Sequence, residues 1–288
     1  MIACMVALAC SCDDGVMGTP VDPDDIDGDG IPNERDDCPG THDPAQHDED
    51  GDGFGDPCDV CPTVADLQQR DRGEVDALAF EDGVGDACDP RPSRGGDKIG
   101  ALHVFTVDST PSWLGGGWTI GGDRVSASGT ARWQHKRAEQ GDGIAARLTV
   151  ESVAWLDDGA SLSVTVDGDG VESGRSCALF ADRDTDGNDE LEAQELGGVL
   201  VVQALSGAVA GPVTLIAQRG IERTGTGKLL CRIEYGDRNA TAMLPTIDAT
   251  TTGQYAIAAT SAEVVATSLV IYTSPVACPM ASLACDLP

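Results

Sequence analysis

The sequence predicts an all-β protein, in which an irregular, acid-rich leading segment precedes a C-terminal antiparallel jelly roll or β-sandwich. Three observations predict it. Aromatic residues make up only 4% of the 288-residue chain while glycine fills 36 positions, a balance that suits turn-rich β structure better than a helical bundle. Beyond about residue 95, short apolar-alternating stretches recur between Gly, Asp and Ser turns, with no convincing amphipathic helix among them, which argues against parallel α/β folds. Before that point the alternation is missing, and roughly half of all acidic residues are concentrated there.

The charge balance, 18 basic against 49 acidic residues and a formal net charge of −31, excludes nucleic acid and anionic membrane surfaces as partners, because a binder of phosphates needs the opposite field. Cations are its natural counterparts. After the extreme N-terminus no stretch is long and apolar enough to span a bilayer.

Taken in order, the chain begins MIACMVALACSCDD, an apolar run followed by small residues and cysteines. It resembles the back half of a bacterial lipoprotein signal and implies export with lipid attachment at Cys10 or Cys12; its lack of a basic region implies a true start further upstream. The competing reading is a frayed apolar terminus of a cytosolic protein. Cys4, Cys10 and Cys12 belong to this region, and the remaining eight of the 11 cysteines form an even set, as in an oxidising compartment. By proximity they pair as Cys38–Cys58, Cys61–Cys88, Cys177–Cys231 and Cys278–Cys285. Cys58 and Cys61 also form a CxxC, but finger-spaced partners are missing and the neighbours are hard carboxylates, which disfavours zinc.

The acidic segment carries a regular pattern. A 12-residue calcium loop takes oxygens from positions 1, 3, 5, 7 (a backbone carbonyl), 9 and 12, with Gly at 6 for the turn. "DEDGDGFGDPCD" fills every place with Asp48, Asp50, Asp52, the carbonyl of Phe54, Asp56 and Asp59 around Gly53. "DIDGDGIPNERD" does the same with Asp25, Asp27, Asp29, the carbonyl of Ile31, Asn33 and Asp36 around Gly30. A third copy, "LAFEDGVGDACD", keeps Asp82, Asp86 and Asp89 but puts Leu78 and Phe80 in place of two carboxylates, so it binds weakly or borrows from Asp71, Glu74 or Asp76. A disordered acidic linker is the bland alternative; ligand spacing interleaved with cysteines argues against it. His42 and His47 are read as solvated loop positions.

No amphipathic helices flank these loops, so they are not EF-hands. "DDCPGTHDPAQHDEDGDGFGDPCD" resembles the thrombospondin type 3 repeat, through Cys38-Pro39, Asp43-Pro44, Gln46 and Asp56-Pro57-Cys58-Asp59. A second, decayed unit runs from Asp59-Val60-Cys61-Pro62 to Asp86-Ala87-Cys88-Asp89, and the resemblance covers about residues 22 to 92. It implies a chain wound around a row of calcium ions, tied by the Cys38–Cys58 and Cys61–Cys88 bridges and serving as a stiff, calcium-dependent spacer. Such a segment has too few apolar side chains for a core and takes its order from metal and cross-links.

From Ile99 onward the strand-like stretches include "ALHVFTV", "ARLTVESVAW", "SLSVTVDG", "CALFAD", "VTLIAQ", "KLLCRIEY" and "SLVIYT". Together with "GGGWTIGGDRVSASG" and the closing "YAIAATSAEVVATSLVIYT", they resemble a concanavalin A-like jelly roll of the lectin, laminin G and glucanase type over roughly 100 to 275. Cys177 and Cys231 fall in two central strands, where one cross-strand bridge fits, and Cys278 with Cys285 closes a small C-terminal loop.

"DRDTDGNDELEAQE" places Asp182, Asp184 and Asp186 at positions 1, 3 and 5 of a second kind of cation loop; position 12 is Ala193, for which Glu190 or Glu192 would substitute. The same stretch resembles the Glu-x-Asp-x-x-Glu of family 16 glucanases through Glu190, Glu192 and Glu195, with Glu in place of the middle Asp. In an acid-rich chain that match is cheap, and no Ser/His/Asp or Cys/His constellation stands beside it, so the expectation is binding and not catalysis. Trp113, Trp118, Trp133 and Trp155 are either a sugar-stacking platform or, as a chain poor in aromatics favours, sandwich core. Asp167 and Asp169 in "VDGDGV" read as a hairpin turn.

The expected organisation is therefore a signal or anchor and linker at 1–21, calcium repeats at 22–92, a linker at 93–98, a jelly roll at 99–275 and a disulfide-closed tail at 276–288. The expected function is an exported, calcium-binding envelope or secreted protein, met by the membrane only through its lipid anchor. Its calcium-stiffened stalk presents a module that binds polysaccharide or an extracellular protein; a glycosidase or a bare spacer is the alternative.

Overall fold

The computed structural model describes residues 22–72, 81–92, 95–105, 112–139, 141, 143–168, 173–182, 184–198, 200–221, 227–247 and 252–274. The lipid-anchor candidates Cys10 and Cys12, the Cys278–Cys285 pair, and Glu74, Asp76, Leu78, Phe80 and Asp169 lie outside these residues.

Among the described residues the regular structure is all strand. The order is β1 Lys98–His103, β2 Trp113–Ile120, β3 Val125–His135, β4 Gly143–Trp155, β5 Ser161–Val166, β6 Arg175–Phe180, β7 Glu190–Glu195, β8 Leu200–Ala204, β9 Val213–Ile221, β10 Gly227–Tyr235, β11 Arg238–Ile247 and β12 Tyr255–Ser274. All pairings are antiparallel, in the order β11-β10-β9-β4-β12-β5-β6-β7-β8, with β1 and β3 also on β12 and β2 on β3. Alternation decides which side chains go inward: in β10, Leu229, Cys231 and Ile233 are buried while Arg232 is exposed.

This one sheet becomes a sandwich because several strands bend at one level. The first part of β12, Tyr255–Thr260, pairs with β5, and its second part, Ala262–Ser274, pairs with β4. The β12–β3 register slips between Ala259 and Ala262, opposite Gly129, and the β2–β3 register slips at Gly117. Ser261 (φ 47°) and Gly117 (φ 88°) both take left-handed backbone there, and a Cβ on Gly117 would lie 2.6 Å from the Ala131 Cα. Strands that change sheets through bulges form such corners. Beyond the corner β7 faces β10 and β11, and β5 and β6 face β9.

The resulting core is aliphatic, with Leu148, Leu162, Leu179, Leu191, Leu215 and Leu229 fully buried. Cys177 on β6 is bonded to Cys231 on β10. The expected Cys177–Cys231 bridge is thus present, and because those strands are not neighbours in the sheet order it staples one layer to the other. Asp167 ends β5 in a turn with φ 57°, as expected of a hairpin residue, yet it is 2% exposed. It forms a buried ion pair with Arg219 at 3.1 Å and accepts the amides of Thr252 and Gly253 at 3.0 Å each.

The tryptophans belong to the core. Trp113, Trp118 and Trp133 are buried and Trp155 is partly buried against the same core, with its Nε1 on Asp189, which removes the sugar-stacking platform. Trp113 and Trp133 stack at 5.5 Å between ring centroids, and His103, His135 and Tyr255 close the group. His103 Nε2 lies 2.8 Å from the Tyr255 hydroxyl and its ring 4.8 Å from that of His135.

The acidic segment is irregular, and its buried apolar side chains are cystine halves, Pro62 and Val84. Cys38–Cys58 and Cys61–Cys88 are both formed. Each needs a glycine: a Cβ on Gly55 would stand 2.8 Å from Cys38 Sγ, and one on Gly85 2.7 Å from Cys61 Sγ. The second unit does not stand free of the sandwich. Cys61, Val84 and Cys88 form one apolar cluster with Ala145, Val270 and Tyr272 on the outer face of β4 and β12, with Ile99 and Leu102 of β1 at its margin.

Two outcomes follow for stability. Replacing both Cys177 and Cys231 by Ala should cost about 2–4 kcal/mol in urea unfolding followed by tryptophan fluorescence, since the bridge closes a long loop of the unfolded chain. Burial, and next the neighbouring His135, hold His103 down at about 4, below its unfolded value of about 6.5. The neutral ring is thus favoured by folding; its contribution is intact above about pH 6.5 and is lost as the pH falls toward 4. The urea midpoint should therefore fall between pH 7 and 5 by more in the wild type than in His103→Phe.

Candidate functional site

The acidic loops share one hydrogen-bonded frame. At position 1 a carboxylate accepts the amide of the turn glycine: Gly30 to Asp25 at 3.1 Å, Gly53 to Asp48 at 2.9 Å, and Gly83 to Asp71 at 2.8 Å. At position 9 a side-chain oxygen accepts the amide of position 2: Ile26 to Asn33, Glu49 to Asp56, and Arg72 to Asp86. At position 12, Asp36, Asp59 and Asp89 accept the amides of Cys38, Cys61 and Arg91 at 2.8, 2.7 and 2.6 Å. Ile31 and Phe54, whose carbonyls the loop template uses, donate their amides to Asp29 and Asp52, as Val84 does to Asp82.

The third loop is therefore built on Asp71. Aligning it on Leu78 and Phe80 is corrected, and of the three proposed lenders Asp71 is the one that takes position 1. An insertion separates Asp71 from Asp82 where Asp48 directly approaches Asp52, and a fixed 12-residue template cannot see across it.

Each unit has a second tier. The position-5 carboxylates of Asp29, Asp52 and Asp82 also accept the amides of Asp43, Asp66 and Asp97 at 3.0, 2.7 and 2.7 Å. Gln46 and Gln69 brace the first two: Gln69 accepts the Val60 amide at 3.0 Å and donates to Asp59 at 2.8 Å, and Gln46 bonds Asp37 and Asp36 in the same way. Asp43, Asp66 and Asp97 carry no ligand role in the sequence template; the Asp-Pro step at Asp43 was their one available signal.

Three oxygen groupings are close enough to grip one cation in these units: Asp25, Asp27 and Asp29; Asp48, Asp50 and Asp52; Asp82, Asp89 and Asp97. Within each, the participating oxygens lie within 4.8 Å of one another. Among the described residues of these units, Asp27 Oδ2, Asp36 Oδ2, Asp43 Oδ2, Asp50 Oδ2 and Asp71 Oδ1 are buried without a hydrogen-bond partner. An acceptor buried in that state is costly unless a cation or ordered water meets it. The donor set is entirely oxygen, which suits a hard divalent ion. The electrostatics agree. Burial foremost, then Asp56, pushes Glu49 up to about 7; burial and Asp52 push Asp50 up to about 6, and burial raises Asp56 to about 6. Burial, with Asp97 and Asp82 adding, raises Asp89 to about 8.

In the sandwich, Asp182 accepts the Gly187 amide at 2.9 Å and Asp184 that of Asp186 at 3.3 Å, the same turn as in the acidic loops. Asp182 and Asp184 meet Glu190, whereas Asp186 stays exposed outside the group. Sequence reasoning missed Asp189, which is 1% exposed and accepts Trp155 Nε1 at 2.9 Å, the Val209 amide at 2.7 Å and the Asp182 amide at 3.2 Å.

The glucanase-like spacing does not assemble. β7 pairs with β6 without a register shift, so Glu190 and Glu192 share one face while Glu195 lies on the face of Leu191 and Ala193, paired with Arg175 at 3.2 Å. A groove of about 480 Å³ lies elsewhere, across β2, β3, β12 and β4; Thr119, Ser126, Ser128, Ser152 and Glu263 line it.

No family model matches the chain, and no curated protein matches it. Solved structures do. A legume lectin-like domain from Entamoeba histolytica aligns at TM-score 0.45 and 13% identity over 58% of this chain and 92% of that one. The VIP36 exoplasmic/lumenal domain, solved with Ca2+ and Man3GlcNAc, aligns at 0.42 and 10% over 64% and 93%. A Bacillus licheniformis β-glucanase aligns at 0.40 and 11% over 62% and 99%. These likenesses concern the all-β, jelly-roll-like architecture and carry no argument about ligands.

Gln69→Ala removes the brace of the second tier without touching a carboxylate. Amide exchange around Val60 and Cys61 should accelerate by about tenfold or more, since a lost buried hydrogen bond costs about 1–3 kcal/mol locally.

Proposed function

We propose that this is an exported calcium-binding protein whose acidic segment is ordered by calcium and whose sandwich offers a binding surface. One observation carries the calcium reading: three loops of one hydrogen-bonded frame surround carboxylate oxygens that are buried and unpartnered. Asp25, Asp27, Asp29, Asn33 and Asp36 would hold one ion with the Ile31 carbonyl, and Asp48, Asp50, Asp52, Asp56 and Asp59 another with that of Phe54. Asp71, Asp82, Asp86 and Asp89 would serve the third loop, and Asp182, Asp184 and Glu190 a weaker site. Calcium neutralises the repulsion that the segment has no apolar core to offset. Extracellular calcium modules of this kind bind at about 10⁻⁴–10⁻³ M, which matches export, three disulfides and lipid attachment at Cys10 or Cys12.

The groove suits a polysaccharide, because Thr119, Ser126, Ser128, Ser152 and Glu263 offer hydrogen bonds to sugar hydroxyls while Val153, Val264 and Val265 supply apolar wall for the sugar's C–H faces. The glucanase-like reading loses its third member, since Glu195 lies on the opposite face of β7 from Glu190 and Glu192 and pairs with Arg175.

Calorimetry with calcium should show uptake of several ions, with compaction by small-angle scattering relative to the EDTA-treated protein. Identical profiles in calcium and EDTA would overturn the reading. For the groove, Ser152→Trp should abolish retention on whichever immobilised polysaccharide binds the wild type and leave calcium uptake unchanged.

A further inference from the structure

We infer that the seam between the acidic segment and the sandwich is itself a divalent-cation site, made by Asp82 and Asp89 and closed by Asp97, and that its ion couples the order of the segment to the stability of the sandwich. This rests on the calcium reading of the loops and extends it to a residue outside the repeat pattern.

Asp97 leads directly into β1, and it is completely buried. One oxygen from each of Asp82, Asp89 and Asp97 falls within 4.8 Å of the others. Arg91 grips Asp97 through Nε at 3.1 Å and Nη2 at 2.6 Å, the Ser274 hydroxyl donates to the same carboxylate, and the Asp97 amide donates to Asp82. Arg91 balances one of the negative charges gathered here, and a divalent cation balances two more of those on Asp71, Asp82, Asp89 and Asp97, where a monovalent ion would balance one.

Two further groups point to an occupant. Tyr272 of β12 shares one apolar cluster with Cys61, Val84 and Cys88, stands in the electrostatic reach of Arg147, Asp89 and Asp59, and has its hydroxyl buried without a hydrogen-bond partner. Asp71, 7% exposed, has one oxygen on the amide next to Asp82 and the other buried without a partner. A hydrated cation supplies both an acceptor for the phenol and a positive charge for the carboxylate.

The coupling follows from what holds the site. Ser274 ends β12, Asp97 immediately precedes β1, and Lys98 pairs with Thr273, so the ion would pin the strand pair that adjoins the acidic segment. The Gln218 side chain adds a bond from β9 to the Pro90 carbonyl at 3.0 Å.

The test uses the full chain, since all four tryptophans lie in the sandwich and report on it alone. Calcium bound per chain is counted by equilibrium dialysis, and the urea midpoint of tryptophan fluorescence is compared in calcium and in EDTA. The wild type should show a higher midpoint in calcium. Asp97→Asn should bind one ion fewer and lose that shift. Because Asp97 also anchors Ser274, Ser274→Ala, which removes that contact and keeps the three carboxylates, should retain the wild-type ion count and the shift. Asp50→Asn, in the second loop, should lose an ion yet keep the shift. A wild-type ion count or an undiminished shift in Asp97→Asn, or the loss of both in Ser274→Ala, would overturn the seam site while leaving the calcium loops standing. A wild type that takes up no calcium would overturn both.

Discussion

Like charges held a few ångströms apart, with almost nothing apolar to bury, are the constraint on which this molecule turns. In the acidic segment carboxylates accept backbone amides from their own and neighbouring loops, so each side chain that repels its neighbours also fixes a turn. The amides settle geometry and compensate little of the charge, as the raised carboxyls of Glu49, Asp50, Asp56 and Asp89 record. Either a proton or a counter-cation relieves that penalty, and the Cys38–Cys58 and Cys61–Cys88 cross-links supply part of what a core would provide.

The sandwich answers a different demand. Inside it Arg219 is paired with Asp167 and Asp189 is held by neutral N–H donors, and its stability comes from leucine-rich layers stapled by Cys177–Cys231. β12 is the common element: it pairs with β1, β3, β4 and β5, bends at Ser261, and offers Val270 and Tyr272 to the acidic segment on its outer side. The acidic segment and the hydrophobic sandwich thus meet on one strand, not merely through a tether.

Much of this was legible in the sequence, and the failures have physical causes. The first two loops were visible because their spacing is rigid, and the strands because alternation reflects a buried face; both bridges of the acidic segment and the pairing of Cys177 with Cys231 followed from proximity. The third loop was misaligned, since an insertion after Arg72 moves Asp71 away from the turn it braces. Asp97 was invisible for the same kind of reason: its neighbours in space, Asp82 and Ser274, are brought to it by the fold. The direction of Cys177–Cys231 across the layers and the opposed faces of Glu190 and Glu195 depend on which strands are neighbours and where bulges fall, which composition does not encode.

The meeting of the sandwich's first and last strands has a mechanical consequence. Lys98 of β1 lies opposite Thr273 of β12, so the chain enters and leaves the sandwich at one corner. Tension applied between the leading segment and the tail would load that corner as a zipper and peel rungs singly, where opposite exits would shear them together. The Arg91–Asp97–Ser274 knot sits ahead of the first rung and takes the load before any strand parts.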